Sequence, residues 1–133
     1  MSPLFKKLNL GNQDLIHVLN APESFERELA ALSGVIVKRT LSGSSVFAMA
    51  FVITQMDLDS VSNKLVKAAK DDAILWMVYP KGSSKMYKCE FNRDSGWHVL
   101  RDAGFDSVRM VAIDEDWSAL RFRKVAYIKN SKR

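Results

Sequence analysis

Two stretches of this chain, "VFAMAFVI" at 46–53 and "AILWMVYP" at 73–80, contain no charged residue, no amide and no aliphatic hydroxyl. A surface helix needs polar positions on one side, and a half-exposed strand needs them at every second residue. Neither run meets either demand, and both fall short of the roughly 18–20 apolar residues that cross a bilayer. They fit strands covered on both faces, as in a parallel sheet between two layers of helices.

The remaining pattern agrees. "DLIHVLN" (14–20) reads as a first strand and stops at "NAPES", where Pro22 suits the first turn of a helix. "ESFERELAALSG" spaces Phe25, Leu29 and Leu32 for a helix of about three turns, with Gly34 as its C-terminal cap. "GVIVKRTL" gives a second strand, and "SGSS" leads flexibly into the run at 46–53. Asp57 is placed to cap a helix over "LDSVSNKLVKAAK", with Leu58, Val61, Leu65 and Ala68 or Ala69 inward. Asn92 or Asp94 is placed to cap "SGWHVLRDAG", which turns Trp97, Leu100 and Ala103 inward and ends at Gly104, with Phe105 packing back. Finally "DSVRMVAI" and "ALRFRKVAYI" flank the short "DEDWS", and the second alternates Leu120/Phe122 with Arg121/Arg123, the mark of an antiparallel hairpin.

This order predicts an α/β fold: a three-layer α/β/α Rossmann-like sheet, mostly parallel, with a C-terminal antiparallel β-hairpin, over residues 1–133 as one domain. The amphipathic "SPLFKKLNL" has no place in that sheet and is expected to cover an edge or reach a neighbour. A strand–helix–strand–hairpin ending resembles the back half of the S-adenosylmethionine-dependent methyltransferases, over about the last 90 residues and without a specific motif, as in a truncated Rossmann-like methyltransferase domain. "ILWMVYPKGSSK…NRDSGWHVL…VAIDEDWSALRFRK", chiefly "YPK" and "DWSALRFR", also resembles a bacterial family of small proteins catalogued only as a domain of unknown function, which implies no established activity.

Composition narrows the class. The single cysteine, Cys89, excludes an internal disulfide and fits a reducing compartment. The N-terminus lacks the apolar core of a signal peptide, so a cytoplasmic protein with no membrane contact is expected. The net charge of +5 is uneven: six basic residues and no acid lie in 121–133, and four basic residues against Glu90 lie in 81–93. Such clusters attract phosphate groups, although charge also protects sheet edges.

Ligands of open α/β sheets bind outside the carboxyl ends of the parallel strands, near the switch point. Those ends are "NAPES", "TLSGSS", "TQMD", "PKGSSK" and "DEDW". A nucleotide or S-adenosylmethionine site usually opens with a glycine-rich turn after the first strand and takes an acid after the second. "LNAPESF" has no glycine and "VIVKRTL" offers Lys38 and Arg39, so a working methyltransferase is the least favoured reading. "PKGSSK" is not a Walker motif, yet its hydroxyls and ammonium groups suit a phosphate. The predicted ligand-binding residues are therefore Asn20, Glu23, Lys81, Ser83, Ser84 and Lys85. No catalytic residue and no metal ligand is predicted: His17, His98 and Cys89 lack a partner at motif spacing, and the acids of "DEDWS" suit an exposed turn. The expectation is a non-catalytic module binding an anionic small molecule such as a nucleotide, with no cofactor specified. Second comes a nucleic-acid-binding module stacking bases on Tyr87 and Phe91, and third a protein-interaction module.

Overall fold

The computed structural model describes residues 3–128. Six strands form one sheet: β1 (Leu15–Leu19), β2 (Ile36–Lys38), β3 (Ser45–Phe51), β4 (Ala69–Pro80), β5 (Phe105–Ala112) and β6 (Trp117–Lys124). Their order is β2-β1-β3-β4-β6-β5. The first four are mutually parallel, and β6 lies antiparallel to both β4 and β5. Among the described residues the α-helices are α1 (Pro3–Lys7), α2 (Glu23–Ala30), α3 (Gln55–Ala68) and α4 (His98–Asp102), and a short 3-10 turn spans Val125–Tyr127. The mostly parallel α/β sheet with its terminal hairpin is thus the architecture the sequence predicts.

Alternation through β4 explains why its run has no polar position. Leu75, Met77 and Tyr79 face a core shared with α3 and α4, where Leu58, Leu65 and Leu100 pack. Trp76 and Val78 face the opposite core, closed by Phe5 of the α1 layer and by Phe25 and Leu29 of α2. From Leu75 to Pro80 every residue of this strand is buried, contributing about 1.5–3 kcal/mol for a large apolar group.

Several local expectations are corrected. The N-terminal segment covers no edge: Phe5, Leu8 and Leu10 are fully buried against the middle of the sheet. The indole N–H of Trp76 donates to the Leu8 carbonyl at 2.8 Å, fixing that segment in place. Helix α2 spans only eight residues, with Pro22 at the cap rather than inside. Strand β2 is three residues long and leaves Ile36 exposed, because it is an edge strand. Thr54, not Asp57, caps α3, its side chain accepting from the Asp57 N–H at 3.0 Å. Helix α4 is a single short turn beginning at His98, and Ala103 is exposed. Asn92 instead caps a turn, accepting from the Asp94 N–H at 2.8 Å.

Candidate functional site

The chain passes from β1 to β2 on one side of the sheet, while β3 lies against the other side of β1, so the switch point falls between the carboxyl ends of β1 and β3. A cavity of about 270 Å³ opens there, lined by Asn20, Pro22, Phe51, Ile53, Asp57, Tyr87 and Trp117. Asn20 supplies the turn after β1 with φ of 60°, the left-handed conformation that glycine adopts freely and asparagine tolerates best among the others. The absence of glycine in "LNAPESF" therefore does not prevent a tight turn. Trp117 is buried edge-on against Phe51, with centroids 5.2 Å apart, and Tyr87 leans on Trp117 at 4.8 Å. Asp57 is the one carboxylate among the lining residues, set on the first turn of α3.

At the end of β2 the basic pair is already engaged in part. Arg39 forms a two-pronged ion pair with Glu26 of α2, both bonds 2.7 Å, and this contact holds the Glu26 carboxyl below its ordinary range. The strand end itself carries no acid and Glu26 is taken up by Arg39, so Asp57 is the carboxylate that the cavity lining offers to hydroxyls or a cationic amine.

A larger cavity, about 810 Å³, lies beside the first over the carboxyl end of β4. It is built by residues 81–95, which fold back across the sheet. The Lys81 N–H donates to the Asp116 carbonyl at 2.7 Å, and the Ser84 hydroxyl donates to the Asp116 carboxylate at 2.8 Å. The same hydroxyl accepts from the N–H groups of Met86 and Tyr87, each at 3.2 Å. Farther on, the Glu90 N–H donates to the Ile53 carbonyl, and the Glu90 carboxylate accepts from the Gln55 N–H at 2.9 Å. Asp114 closes the hairpin by accepting from the N–H groups of Asp116 and Trp117. "PKGSSK" and "DEDWS" thus tie each other down.

The predicted site residues do not converge. Asn20 lines the smaller cavity and Glu23, exposed, opens α2; Lys81, Ser84 and Lys85 line the larger one, and Ser83 is exposed outside its lining. Tyr87 borders both cavities. Ser84 spends its hydroxyl on the loop, so its contribution is to position rather than to bind. Phe51, Ile53, Asp57 and Trp117 were not singled out as ligand contacts, although all lie in or beside the strand ends "TQMD" and "DEDW" where ligands of such sheets bind. Phe91 is buried between Tyr79 and Trp97, so it presents no ring to a nucleobase.

Other titratable groups serve the fold. The His17 Nδ1 lies 2.8 Å from the Ser45 hydroxyl, which itself donates to the Phe47 carbonyl, so the imidazole donates and Ser45 is not activated by it. Burial, with Lys38 nearby, lowers the His17 pKa. Burial raises the Cys89 thiol and pushes Tyr79 up to about 12, leaving both protonated at neutral pH. Asp72 receives Arg123 bidentately at 2.8 and 2.6 Å, which holds its carboxyl below the ordinary range. Of the C-terminal basic residues, Lys124 donates to the Ala69 carbonyl, whereas Lys129, Lys132 and Arg133 lie outside the described residues. Among the described residues no three His, Cys, Asp or Glu side chains come together, and no helix is long and apolar enough to cross a membrane.

No protein-family model and no curated protein sequence matches the chain, so the small bacterial family suggested by "YPK" and "DWSALRFR" has no support beyond those residues. The fold, by contrast, is similar to solved S-adenosylmethionine-dependent methyltransferases. Magnesium protoporphyrin IX methyltransferase from Synechocystis PCC 6803, solved with S-adenosylhomocysteine bound, superposes with a TM-score of 0.57 at 12% identity, over 91% of this chain and 78% of that one. A methyltransferase from Aquifex aeolicus gives 0.54 at 13% identity, covering 90% and 86%. The N-methyltransferase NodS from Bradyrhizobium japonicum WM9 gives 0.54 at 10%, covering 90% and 91%. The architectural likeness therefore extends well beyond the last 90 residues. It also corrects the expected ranking of functions, in which a non-catalytic anion-binding module stood first and a methyltransferase last. That ranking rested on the missing glycine, whose left-handed conformation Asn20 adopts, and on Lys38 and Arg39 standing where an acid usually follows the second strand, a departure the structure keeps.

Proposed function

We propose that this chain binds S-adenosylmethionine at the carboxyl ends of β1 and β3 and uses it as a methyl donor. The observation that carries this reading is the cavity at the switch point, with a left-handed Asn20 on one wall and Asp57 on the other. Its residues suit the two ends of such a donor. Phe51, Ile53 and the Tyr87–Trp117 pair offer an apolar, aromatic surface for a purine, whose stacking is worth about 1–3 kcal/mol per base. Asp57 offers a carboxylate to ribose hydroxyls or to the donor's ammonium group. At about 270 Å³ the cavity is near the lower bound of ligand sites, so it holds the ring system while the rest of the donor extends along the sheet edge.

If bound there, the donor would supply a methyl group to an acceptor's lone pair, keeping the carbon–sulfur electron pair on sulfur, with any acceptor proton passing to solvent. The chain contributes position and exclusion of water, since Trp117 and Phe51 close the floor of the cavity. Isothermal titration of the full chain with S-adenosylhomocysteine tests the reading. Binding that weakens about tenfold in Asp57→Ala supports it, a loss in line with one charge-assisted hydrogen bond. The cap bond of α3 runs from the Asp57 backbone N–H to the Thr54 hydroxyl, and the variant keeps both groups. No heat and no thermal shift at millimolar ligand would reject it.

A further inference from the structure

The larger cavity has a division of character that the smaller one lacks. Its floor is apolar, made by Tyr79, Phe91 and Met110, whereas Lys81, Lys85, Lys88 and Arg93 stand around it. Its single lining acid, Glu90, is held by the Gln55 N–H, and no ion pair ties any of the three lysines to a carboxylate among the described residues. Arg93 has only a 3.7 Å contact with Asp94, and both are well exposed. Four cations around an apolar floor raise the local concentration of ligands that pair a negative group with a hydrophobic body. At about 810 Å³ the space suits a whole small molecule, and its walls are fixed by the Ser84–Asp116 and Glu90–Gln55 bonds rather than left to a free loop.

We infer that this cavity is the site of the methyl acceptor, and that the acceptor is an organic acid with a flat or chain-like apolar body. The body lies on Met110, a half-exposed apolar residue of the lining, above the largely buried Tyr79 and Phe91, and the acid group meets the ammonium groups of Lys81 and Lys85. Tyr87, which borders both cavities, is the partition across which donor and acceptor meet. The word acceptor rests on the donor reading above; the preference for an amphipathic acid rests on the cavity alone.

The test uses 8-anilinonaphthalene-1-sulfonate, an anion with an apolar ring system, titrated into the folded full chain and followed by fluorescence. The expected result is saturable one-to-one binding that weakens with added salt and falls about fivefold or more in Lys81→Glu/Lys85→Glu, the loss produced by placing like charge at the rim. The uncharged N-phenyl-1-naphthylamine should bind about fivefold more weakly than the sulfonate. A second variant, Met110→Trp, fills the floor without changing charge and should abolish the signal. Far-ultraviolet circular dichroism confirms that each variant is folded. Equal affinity for the two probes, or sulfonate binding untouched by the double charge reversal, overturns the inference. S-adenosylhomocysteine titrated into the same variants separates the two readings. If it binds undiminished while the sulfonate fails, the amphipathic-acid site falls and the donor reading stands; if it fails while the sulfonate binds as expected, the donor reading falls and takes the word acceptor with it, and the amphipathic-acid site stands.

Discussion

Replacing Ser84 by alanine should loosen the segment that walls both cavities. The hydroxyl makes three hydrogen bonds: one donated to the Asp116 carboxylate at 2.8 Å and two accepted, from the Met86 and Tyr87 N–H groups, at 3.2 Å. A bond to an ionised partner is worth about 1.5–3 kcal/mol when buried, and both residues here are only half-buried, so about 1 kcal/mol is the fair value. The two longer bonds to backbone N–H groups add about 0.5 kcal/mol each, for a total near 2 kcal/mol. With a urea dependence of about 2 kcal/mol per molar for a domain of this size, the midpoint should fall by about 1 M. Ser83→Ala is the control, because that serine is exposed and should change stability by less than about 0.5 kcal/mol. A cycle with Asp116→Asn should return a coupling of about 1 kcal/mol. Amide exchange at Met86 and Tyr87 should quicken in Ser84→Ala. If Ser84→Ala and Ser83→Ala shift the midpoint equally, or exchange at those two amides is unchanged, water replaces the hydroxyl at no cost and the loop is held by something else.

Other outcomes follow from the same coordinates. Gly96→Ala should cost about 3 kcal/mol in urea unfolding, since φ is 100° and a Cβ would stand 2.8 Å from both the Gln55 Oε1 and the Phe91 Cβ. Gly104→Ala, at φ 91° with nothing within 4 Å, should cost only the backbone term of about 1–2 kcal/mol. Because Arg123 depresses the folded-state pKa of Asp72, the stability this pair contributes is complete above the ordinary carboxylate pKa and is lost as pH falls through the lower folded value. Asp72→Asn should remove that part of the acid slope, no more than about 1 kcal/mol for a partly exposed pair, in thermal melts carried down through and below the ordinary carboxylate range. His17, depressed by burial and by Lys38, stays neutral in the fold while the unfolded chain takes up a proton, so stability should decline as pH drops below 6.5. His17→Gln should flatten that decline, and melts of the two proteins that fall in parallel from pH 7 to 5 would refute the assignment.

How much of this was legible beforehand follows from the range of each interaction. The runs at 46–53 and 73–80 required burial on both faces wherever they were placed, so the layered sheet followed from them. The hairpin followed from "DEDWS", because five residues leave the chain no way to return except antiparallel. Helix ends were read less well. Thr54 and Asp57 both have cap-forming side chains three residues apart, and only the path of β3 decides which one stands at the end.

The candidate site divides the same way. Sequence alone located the strand ends, hence the edge where ligands of such sheets bind, and marked "PKGSSK" as unusual. It missed that Ser84 would be consumed by Asp116, 32 residues away, and that Asn20 would adopt φ 60°. Both depend on partners or on backbone angles that composition does not encode. Sequence by itself determined that the strands at 46–53 and 73–80 are covered on both faces, because burial of apolar groups is dictated by residue type and period. Only the tertiary structure decided that the loop folds back into walls, that one edge holds two cavities, and that Tyr87 stands between them. Those outcomes rest on hydrogen bonds and aromatic contacts between segments far apart in the chain, which no local pattern records.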